Sequence, residues 1–416
     1  MLSKAWKNVL FGLLLCSLSS AHSHHDHEHE DIPIERRQEL LAKWEQEFTF
    51  TGISTFAHLP HVKCLLDPSV TYDIAIIGAP FDNAVSYRPG ARFGPRAIRA
   101  ASARQMPATS YNTRAAINPY LNWAKIIDCG DIPITPFDNA VAERQMYEAF
   151  LELGSRKVHN PAAGRGGISQ GKPKLITLGG DHSIALPALR ALYKIYGKPI
   201  TVLHFDAHLD TWNPVRYNAY WASAQARFNH GSVFHVASQE GLISNTSSAH
   251  AGLRTRLTGV DDGDYTNPGP EQGFLRIHAD DIDDVGVKGV VETIVNRVGI
   301  DEDEPVYLSL DIDVLDPSIA PGTGTPEPGG WTTRELIRIL RGVEGLNIVG
   351  ADIVEVSPAY DSNAEGTALA AAQMVFEIIT SMVKMGAKGD VGGWYGRKEG
   401  DVEKEQEVAE GKKDEL

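Results

Sequence analysis

Short apolar runs alternate with segments of helical periodicity along most of the chain. Strands are predicted near residues 73–79, 125–130, 174–179, 200–206, 306–311 and 348–354. Helices are predicted near 35–48, 96–105, 139–158, 184–196, 286–298, 332–341 and 365–385. Apolar strands that alternate with helices indicate a parallel sheet covered on both faces. The pattern therefore predicts an α/β fold with three layers, α/β/α, around a central, mainly parallel sheet.

The two ends of the chain resemble targeting signals. Lys4 and Lys7 precede a short apolar run, Val9 to Leu18, and small residues follow, so that residues 1–21 match a signal peptide. A membrane anchor is the alternative, but the run is too short to span a bilayer. The last four residues, 413–416, read Lys-Asp-Glu-Leu, which is a retrieval signal of the endoplasmic reticulum. Together the two signals predict a protein of the endoplasmic reticulum lumen.

Three segments lie between these signals. Residues 22–34 combine His with acids and lack an apolar pattern, so they are predicted to be disordered. Loose metal binding by this His-rich segment is the alternative. Residues 35–390 form the predicted catalytic domain, and residues 391–416 form a charged tail that carries the retrieval signal.

The charge and the cysteine content of the chain limit the functions that it can have. The chain has 39 Lys and Arg against 54 Asp and Glu, a net charge of −15, whereas nucleic-acid binding requires a basic surface. An acidic surface suits a cationic ligand, although solubility explains it equally well. No membrane association is predicted after signal cleavage. Cys16 lies in the signal, and Cys129 is interpreted as a buried free thiol, with a Cys64–Cys129 disulfide as the alternative in an oxidising lumen.

The strongest chemical signal follows the predicted strand near 200–206. Asp206, His208 and Asp210 have the spacing that places alternate side chains of an extended chain on one side. Solvated acids at a strand end are the alternative interpretation of this segment alone. Two carboxylates and an imidazole in this arrangement are poor core residues and good metal ligands.

Two further predicted strands end in the same chemistry, which argues against solvated acids. The carboxyl ends of parallel strands meet at one edge of a sheet, where ligands bind, so these side chains are expected to converge. Four carboxylates and two imidazoles are too many for one ion and predict a two-metal site, in which a metal lowers the pKa of water from about 15.7 toward about 7. Mostly oxygen ligands favour Mn²⁺ over zinc. The candidate ligands are His182, Asp206, His208, Asp210, Asp311 and Asp313.

These motifs resemble those of the ureohydrolase family, the arginases, agmatinases and their relatives, from about Tyr72 to about Met385. The resemblance implies an arginase-like fold, two Mn²⁺ per subunit, and release of urea from a small cationic guanidino compound. It also implies a homo-oligomer, a trimer or a hexamer. By the same resemblance Asp206 and Asp311 bridge the ions, His182 and Asp210 complete one shell, and His208 and Asp313 complete the other.

The resemblance implies roles for two residues beyond the ligands. His230 occupies the place of the family's proton-shuttle histidine, a task that suits a group titrating near pH 6.5; a structural histidine is the alternative. Glu355 lies in an apolar run, where an unpaired acid is unfavourable. It matches the glutamate that bonds the substrate guanidinium, with a buried structural ion pair as the alternative. Asp210 would also hand a proton to the leaving amine.

The loops bear on the choice of substrate. Arginases carry Ser-Gly-Asn before the histidine that aligns with His230, whereas this chain has Arg-Phe-Asn, which argues against arginine. Agmatine is therefore predicted, with 4-guanidinobutanoate or another guanidino compound as the alternative. A non-catalytic luminal protein that binds metal or polyamines is a further alternative, against which the intact ligand set argues. The loops that resemble agmatinase lie at 87–95, 232–242, 322–327 and 357–361.

The targeting signals generate a first prediction. Deleting residues 413–416 should move the protein from the endoplasmic reticulum to the medium, because the retrieval receptor reads this tetrapeptide. Immunoblots of cell fractions and medium measure the change, and deletion of residues 402–405 is the matched control. Asn245 begins an Asn-Thr-Ser sequon, so glycosidase treatment should lower the mass of the luminal protein. An unchanged distribution after the deletion would show that the signal is not read.

Overall fold

Eight parallel strands form one sheet in the part of the chain that the structure describes. This structure, a computed structural model, describes residues 33–44, 48–161, 171–214, 221, 223–257, 272–300 and 303–386. The strand order is β2-β1-β3-β8-β7-β4-β5-β6, and every neighbouring pair is parallel. The strands are β1 Ile74–Ala79, β2 Ile126–Asp131, β3 Lys174–Gly179, β4 Thr201–Phe205, β5 Ala249–Leu253, β6 Leu275–His278, β7 Val306–Asp311 and β8 Ile348–Val354.

Helices connect most of these strands. Several begin with the caps that their sequences provide: Asp138 accepts hydrogen bonds from the first turn of one helix, and Thr332 and Glu335 form a capping box at another. The helix Asp281–Val298 breaks at Gly286, whose φ is +68°, which agrees with the prediction of a helix from 286. The helices are α1 Ile34–Trp44, α2 Gly94–Ala101, α3 Asn139–Gly154, α4 Ala185–Tyr196, α5 Val233–Gln239, α6 Asp281–Val298, α7 Thr333–Gly342 and α8 Gly366–Gly386.

The sheet separates two apolar layers. Successive residues of β1 alternate between them: Ile74 and Ile76 pack with α2, α6, α7 and α8, whereas Ala75 and Ile77 pack with α3, α4 and α5. All six residues of β1 are buried, because a parallel strand with helices on both faces has no solvent side. The predicted three-layer α/β/α fold with a parallel sheet is confirmed.

The helix α8 is long and apolar enough to cross a membrane by length and composition alone. However, 78% of its most apolar window is buried inside the protein. Glu377, which binds Arg341, and Lys384, which binds Glu344, are buried in ion pairs along this helix. These contacts are those of a core helix.

Several boundaries differ from the sequence prediction. The strand predicted at 200–206 ends at Phe205, so Asp206 and the two candidate ligands after it lie beyond the strand. The helix predicted at 139–158 ends at Gly154, and the short strands β5 and β6 and the helix α5 were not predicted. The segment up to Thr51 is a separate unit; its helix α1 is described over Ile34–Trp44 with none of its side chains buried, and residues 45–47 lie outside the described residues.

Several sequence predictions lie outside the described residues. They are the signal peptide at 1–21, most of the His-rich segment at 22–34, and the tail 391–416 with its retrieval signal. Their structure is therefore not discussed further.

Cys64 and Cys129 form a disulfide, with sulfur atoms 2.02 Å apart and Cα atoms 5.1 Å apart. The interpretation of Cys129 as a free thiol was wrong. The bond joins the 3₁₀ turn Cys64–Leu66 to β2, an end strand of the sheet. A strand at the end of a sheet has one neighbouring strand instead of two, so the bond fastens an edge that the sheet itself holds less firmly.

The disulfide generates a second prediction. The double variant Cys64→Ser/Cys129→Ser should lose about 4 kcal/mol of unfolding free energy, because the bond closes a separation of 65 residues and limits the unfolded chain. Urea denaturation measures the loss. Reductant should destabilise the unsubstituted protein similarly and leave the double variant unchanged. Two titratable thiols in the native, unreduced protein would contradict the assignment.

Candidate active site

The topology brings the predicted site residues to one edge of the sheet. The four central strands, in the order β3, β8, β7 and β4, are neighbours, and each carries a candidate residue at or just after its carboxyl end. His182 follows β3, Glu355 follows β8, Asp311 ends β7, and Asp206 follows β4. Open parallel sheets bind ligands at this edge.

The first cluster surrounds Nδ1 of His182. The nearest carboxylate oxygens of Asp206, Asp210 and Asp311 lie 3.2, 3.0 and 3.4 Å from this nitrogen. All four side chains are buried. Asp210 has a left-handed backbone with φ +51°, which is uncommon for a residue with a Cβ and costs roughly 1–3 kcal/mol.

The second cluster surrounds Nδ1 of His208. This nitrogen lies 3.2 Å from Oδ1 of Asp206 and 3.1 Å from Oδ2 of Asp313. Asp206 therefore presents Oδ1 to His208 and Oδ2 to His182. One carboxylate shared by two clusters is the arrangement expected of a bridging ligand. The structure does not place Asp311 in the second cluster, so its bridging role stays a prediction.

The hydrogen bonds of His182 test whether a cation fits here. Its Nε2 lies 2.8 Å from Oγ of Ser309, and the Ser309 hydroxyl donates to Asp352 at 2.8 Å. The Ser309 oxygen then accepts the Nε2 proton, which leaves Nδ1 of the neutral imidazole with a lone pair. This buried Nδ1 makes no hydrogen bond. The Nδ1 lone pair and the surrounding carboxylate oxygens are all acceptors, and they have no donor among them. A metal cation can be bound by such a set of atoms.

The charges in the second cluster support the same conclusion. Burial and the negative charge of Asp206 raise the pKa of Asp313 to about 6. Carboxylates in this position resist ionisation unless a positive charge compensates them. A bound cation would supply that charge.

His204 is a site residue that the sequence interpretation missed. Its Nε2 lies 2.9 Å from Oδ2 of Asp206, and its Nδ1 lies 2.7 Å from Nδ1 of His250. Burial lowers the pKa of His204 to about 4 and that of His250 to about 3, so both rings are neutral. His204 therefore orients the shared carboxylate by hydrogen bonding. The sequence could have indicated His204, because it precedes Asp206 by two residues and lies on the same side of the predicted strand.

Glu355 follows β8 with φ +60°. Its two carboxylate oxygens have different surroundings. Oε1 accepts the backbone N–H of His182 at 2.9 Å and lies 3.2 Å from Nδ1 of His230. Oε2 is buried without a hydrogen bond. The sequence offered no cationic partner for Glu355, and the structure supplies His230 for one oxygen only. Glu355 therefore has a histidine partner of the kind that the alternative interpretation, a buried ion pair, requires, and Oε2 is left for another donor.

His230 is held between Glu355 and the loop before α2. Although burial opposes its charged form, the hydrogen bond and the negative charge of Glu355 raise the pKa of His230 to about 9. On its other side, Nε2 lies 2.7 Å from Oγ of Ser86 and accepts the Ser86 N–H at 3.0 Å. Ser86 is a second residue that the sequence interpretation missed, since a lone serine in a loop carries no chemical signal.

A cavity of about 470 Å³ opens at these residues. Candidate metal-ligating side chains from both clusters line it, and so does His230. None of its described lining residues is Lys or Arg. The residues that line it are Ala84, Val85, Ser86, His208, Asp210, Trp212, Ala226, Asn229, His230, Gly231, Asp311 and Thr325.

The comparisons with known proteins agree with this site. A family model described as the arginase family matches residues 72–380. The chain belongs to the arginase family. It is therefore a hydrolase of the arginase and agmatinase type, which acts on the C–N bonds of amidines, and the resemblance expected from the motifs is confirmed.

Individual members of the arginase family are similar over most of the chain. "Putative agmatinase 1" of Schizosaccharomyces pombe is 51% identical over 82% of this chain and 84% of its own. An agmatinase of Cronobacter sakazakii is 39% identical over 73% of this chain and 85% of its own. The solved structure of proclavaminate amidinohydrolase from Streptomyces clavuligerus aligns with a TM-score of 0.68 at 34% identity, covering 82% of this chain and all of that one.

The predicted glycosylation site, Asn245, comes shortly after the loop 232–242. Asn245 is exposed in a turn just before β5. An exposed position is what glycosylation of the sequon requires. Whether it is modified stays a prediction.

The shared carboxylate generates a third prediction. Asp206→Ala should lose both metals, because both clusters contain this carboxylate, whereas His182→Ala should chiefly weaken one. The sequence interpretation predicts the same loss of both for Asp311→Ala. Elemental analysis of the purified proteins measures the content, with about two Mn²⁺ per subunit expected in the parent. Asp316→Asn is the matched control, since Asp316 binds the backbone of Ser318, Gly329 and Gly330. Two metals retained in Asp206→Ala would contradict the shared site.

Proposed function

We propose that this arginase-family protein is a binuclear manganese hydrolase of the endoplasmic reticulum lumen that converts agmatine and water into urea and putrescine. The observation that carries the metal assignment is the shared carboxylate of Asp206, one oxygen to each histidine cluster. Six candidate ligands, four of them carboxylates, suit Mn²⁺ better than zinc. By family resemblance, we further propose a homo-oligomer of three or six subunits.

The proposed division of the ligands between the two ions combines these contacts with the family resemblance, on which the bridging role of Asp311 rests. His182 and Asp210 would hold one ion, His208 and Asp313 would hold the other, and Asp206 and Asp311 would serve both. When bound, the two ions would supply a water of lowered pKa and positive charge beside the reacting carbon. The remaining work falls to the protein's own side chains, which bind the guanidinium and move protons.

Glu355 is proposed to bind the guanidinium. Its Oε2 is buried and has no hydrogen-bond partner, and a planar group with several N–H donors can satisfy it. Its Oε1 meanwhile holds His230. The same carboxylate would therefore orient the substrate and the proton-shuttle residue relative to each other. Asp210 lines the cavity and is proposed to pass a proton to the leaving amine.

The cavity favours an amine tail over a carboxylate tail. A substrate such as 4-guanidinobutanoate carries a carboxylate, which a Lys or Arg would normally receive. The described lining contains neither and includes Trp212, whose ring face can accept an ammonium group. Relatives named agmatinase agree with this choice. Hydrolysis of 4-guanidinobutanoate is the second candidate, and comparison of urea release from both compounds separates them.

A non-catalytic metal-binding role remains the alternative from another class. The unpartnered Oε2 of Glu355 argues against it, because a metal store has no use for a buried acceptor beyond its ligands. Metal-loaded protein that releases urea from no guanidino compound would support that role.

The two-sided contacts of Glu355 generate a fourth prediction. Glu355→Gln should lower kcat/KM for agmatine by about 10- to 100-fold, because a hydrogen bond to a charged group contributes roughly 1.5–3 kcal/mol. Metal content should stay normal, since Glu355 is not proposed as a ligand. His230→Ala should instead lower kcat more than it changes KM, and added imidazole should restore part of the rate.

Glu148→Gln is the control for the charge change, because Glu148 pairs with Arg144 on the surface. It should leave kinetics and metal content unchanged. Loss of metal or of folding in Glu355→Gln, with KM for agmatine unaltered, would show that Glu355 is structural.

A further inference from the structure

Ser86 contacts His230 through two of its atoms. Its Oγ lies 2.7 Å from Nε2 of His230, and its backbone N–H donates to the same nitrogen at 3.0 Å. Ser86 also lines the cavity and is exposed. It is therefore placed between the imidazole and the water outside.

The loop that carries Ser86 is fixed on both sides of it. Before Ser86, the Ala84 N–H donates to the buried Asp181 at 3.0 Å, and the Ala84 carbonyl accepts the His230 N–H at 3.2 Å. After Ser86, the Gly90 N–H donates to Asp82 at 2.8 Å. These hydrogen bonds on both sides of Ser86 hold its side chain in one place, and a residue that takes part in a reaction must be held in this way.

Gly90 allows the loop to approach the site closely. Its φ is +141°, and a Cβ at this position would lie 2.3 Å from Oγ of Ser357. Both the backbone angle and the space require glycine. The loop at Gly90 therefore lies in close contact with Ser357, in the segment that follows Glu355.

Glu355, His230 and Ser86 form a line from the interior to the surface. Glu355 is 1% exposed, the His230 side chain is 12% exposed, and Ser86 is exposed. Along this line, Oε1 of Glu355 contacts Nδ1 of His230, and Nε2 of His230 contacts Oγ of Ser86. A hydroxyl can both accept a proton and donate one, so the line can conduct a proton in either direction.

We propose that Ser86 is a positioning and relay residue of this hydrolase: it holds His230 in register with Glu355 and passes protons between Nε2 of His230 and solvent. The inference rests on the proposed function, because it assigns Ser86 a part in the same reaction. Relatives and motifs did not point to this serine. It is identified by its two contacts with His230.

The reaction needs such a relay in both directions. Water attacks the guanidinium carbon, so a C–O bond forms, the C–N bond to the amine breaks, and water gives up protons. The products are neutral urea and a protonated amine, so the leaving amine nitrogen gains both protons that water loses, and the exchange has no net change in protons. Any proton that leaves the site during this exchange must return. An imidazole linked to solvent through a hydroxyl can serve both transfers.

The second contact of Ser86 distinguishes a relay from a nucleophile. A nucleophilic serine needs the Nε2 lone pair to take its hydroxyl proton. Here the Ser86 N–H shares that lone pair at 3.0 Å, which weakens Nε2 as a base toward Oγ. The same N–H favours neutral imidazole, whereas Glu355 favours the charged form. These opposing effects suit a group that changes its protonation state in each cycle.

The kinetic test compares Ser86→Ala with Ser86→Thr and Tyr111→Phe. Ser86→Ala removes the hydroxyl and keeps the N–H, so kcat should fall about 10-fold or more while KM stays within about 2-fold. Small bases such as imidazole should restore part of the lost rate. Ser86→Thr keeps the hydroxyl and should retain activity. Tyr111→Phe removes the hydroxyl of an exposed residue that does not line the cavity, and should change nothing.

A second measurement does not depend on activity. Diethylpyrocarbonate acylates unprotonated imidazole nitrogen, and Ser86 covers Nε2 of His230. Modification of His230, followed by mass spectrometry of its peptide, should be several-fold faster in Ser86→Ala than in the parent and Tyr111→Phe. Equal rates would show that the hydroxyl does not hold His230 and would overturn the proposal.

The two measurements separate this inference from the proposed function. If the parent protein hydrolyses 4-guanidinobutanoate and not agmatine, the proposed substrate is wrong, and the Ser86→Ala ratio is measured on the compound that reacts. If no guanidino compound reacts, the catalytic function and the relay are both rejected, and the modification rate still decides the positioning role. Full activity in Ser86→Ala, or a loss that small bases do not restore, rejects the relay while agmatine hydrolysis by the parent upholds the function.

Discussion

The concentration of hydrogen-bond acceptors at one edge of the sheet is the constraint on which the site depends. The carboxylates of Asp206, Asp210 and Asp311 converge on Nδ1 of His182, whose ring is oriented by Ser309 and Asp352. In water such groups would repel one another and separate. In a buried site they can stay together only if cations compensate them. The order of the central strands imposes this convergence, and the chemistry of the site follows from it.

The same constraint explains why a second layer of residues surrounds the ligands. His204 and His250 stay neutral because they are buried, and His204 can bond to Asp206 without adding a charge. Left-handed backbone at Asp210 and Glu355 turns each carboxylate into the site. Such strain persists only where the surrounding contacts determine the geometry. The fold thus uses part of its stability to hold acids where the reaction needs them.

The sequence predicted the central strands and the ligands because both follow from position in a repeated pattern. Asp206, Asp311 and His182 lie at or just after apolar runs, so their convergence was predictable. The short strands β5 and β6 were not, since β5 reads Ala-His-Ala-Gly-Leu and its buried His250 resembles a surface residue. The disulfide was undecided because it joins positions 65 residues apart, and pairing at that distance depends on the tertiary fold.

Ser86 shows what depends on tertiary structure alone. Its separation from His230 is 144 residues, and a serine among loop residues has no pattern that marks it. Its importance comes from the hydrogen bonds that fix Ala84 and from the close approach at Gly90. Glu355 then links both halves of the site, with Oε1 toward His230 and Oε2 unpartnered. A substrate that occupies Oε2 would withdraw negative charge from Oε1 and so weaken its hold on the His230 proton. In the proposed mechanism, substrate binding and proton release at His230 would therefore be coupled through one carboxylate.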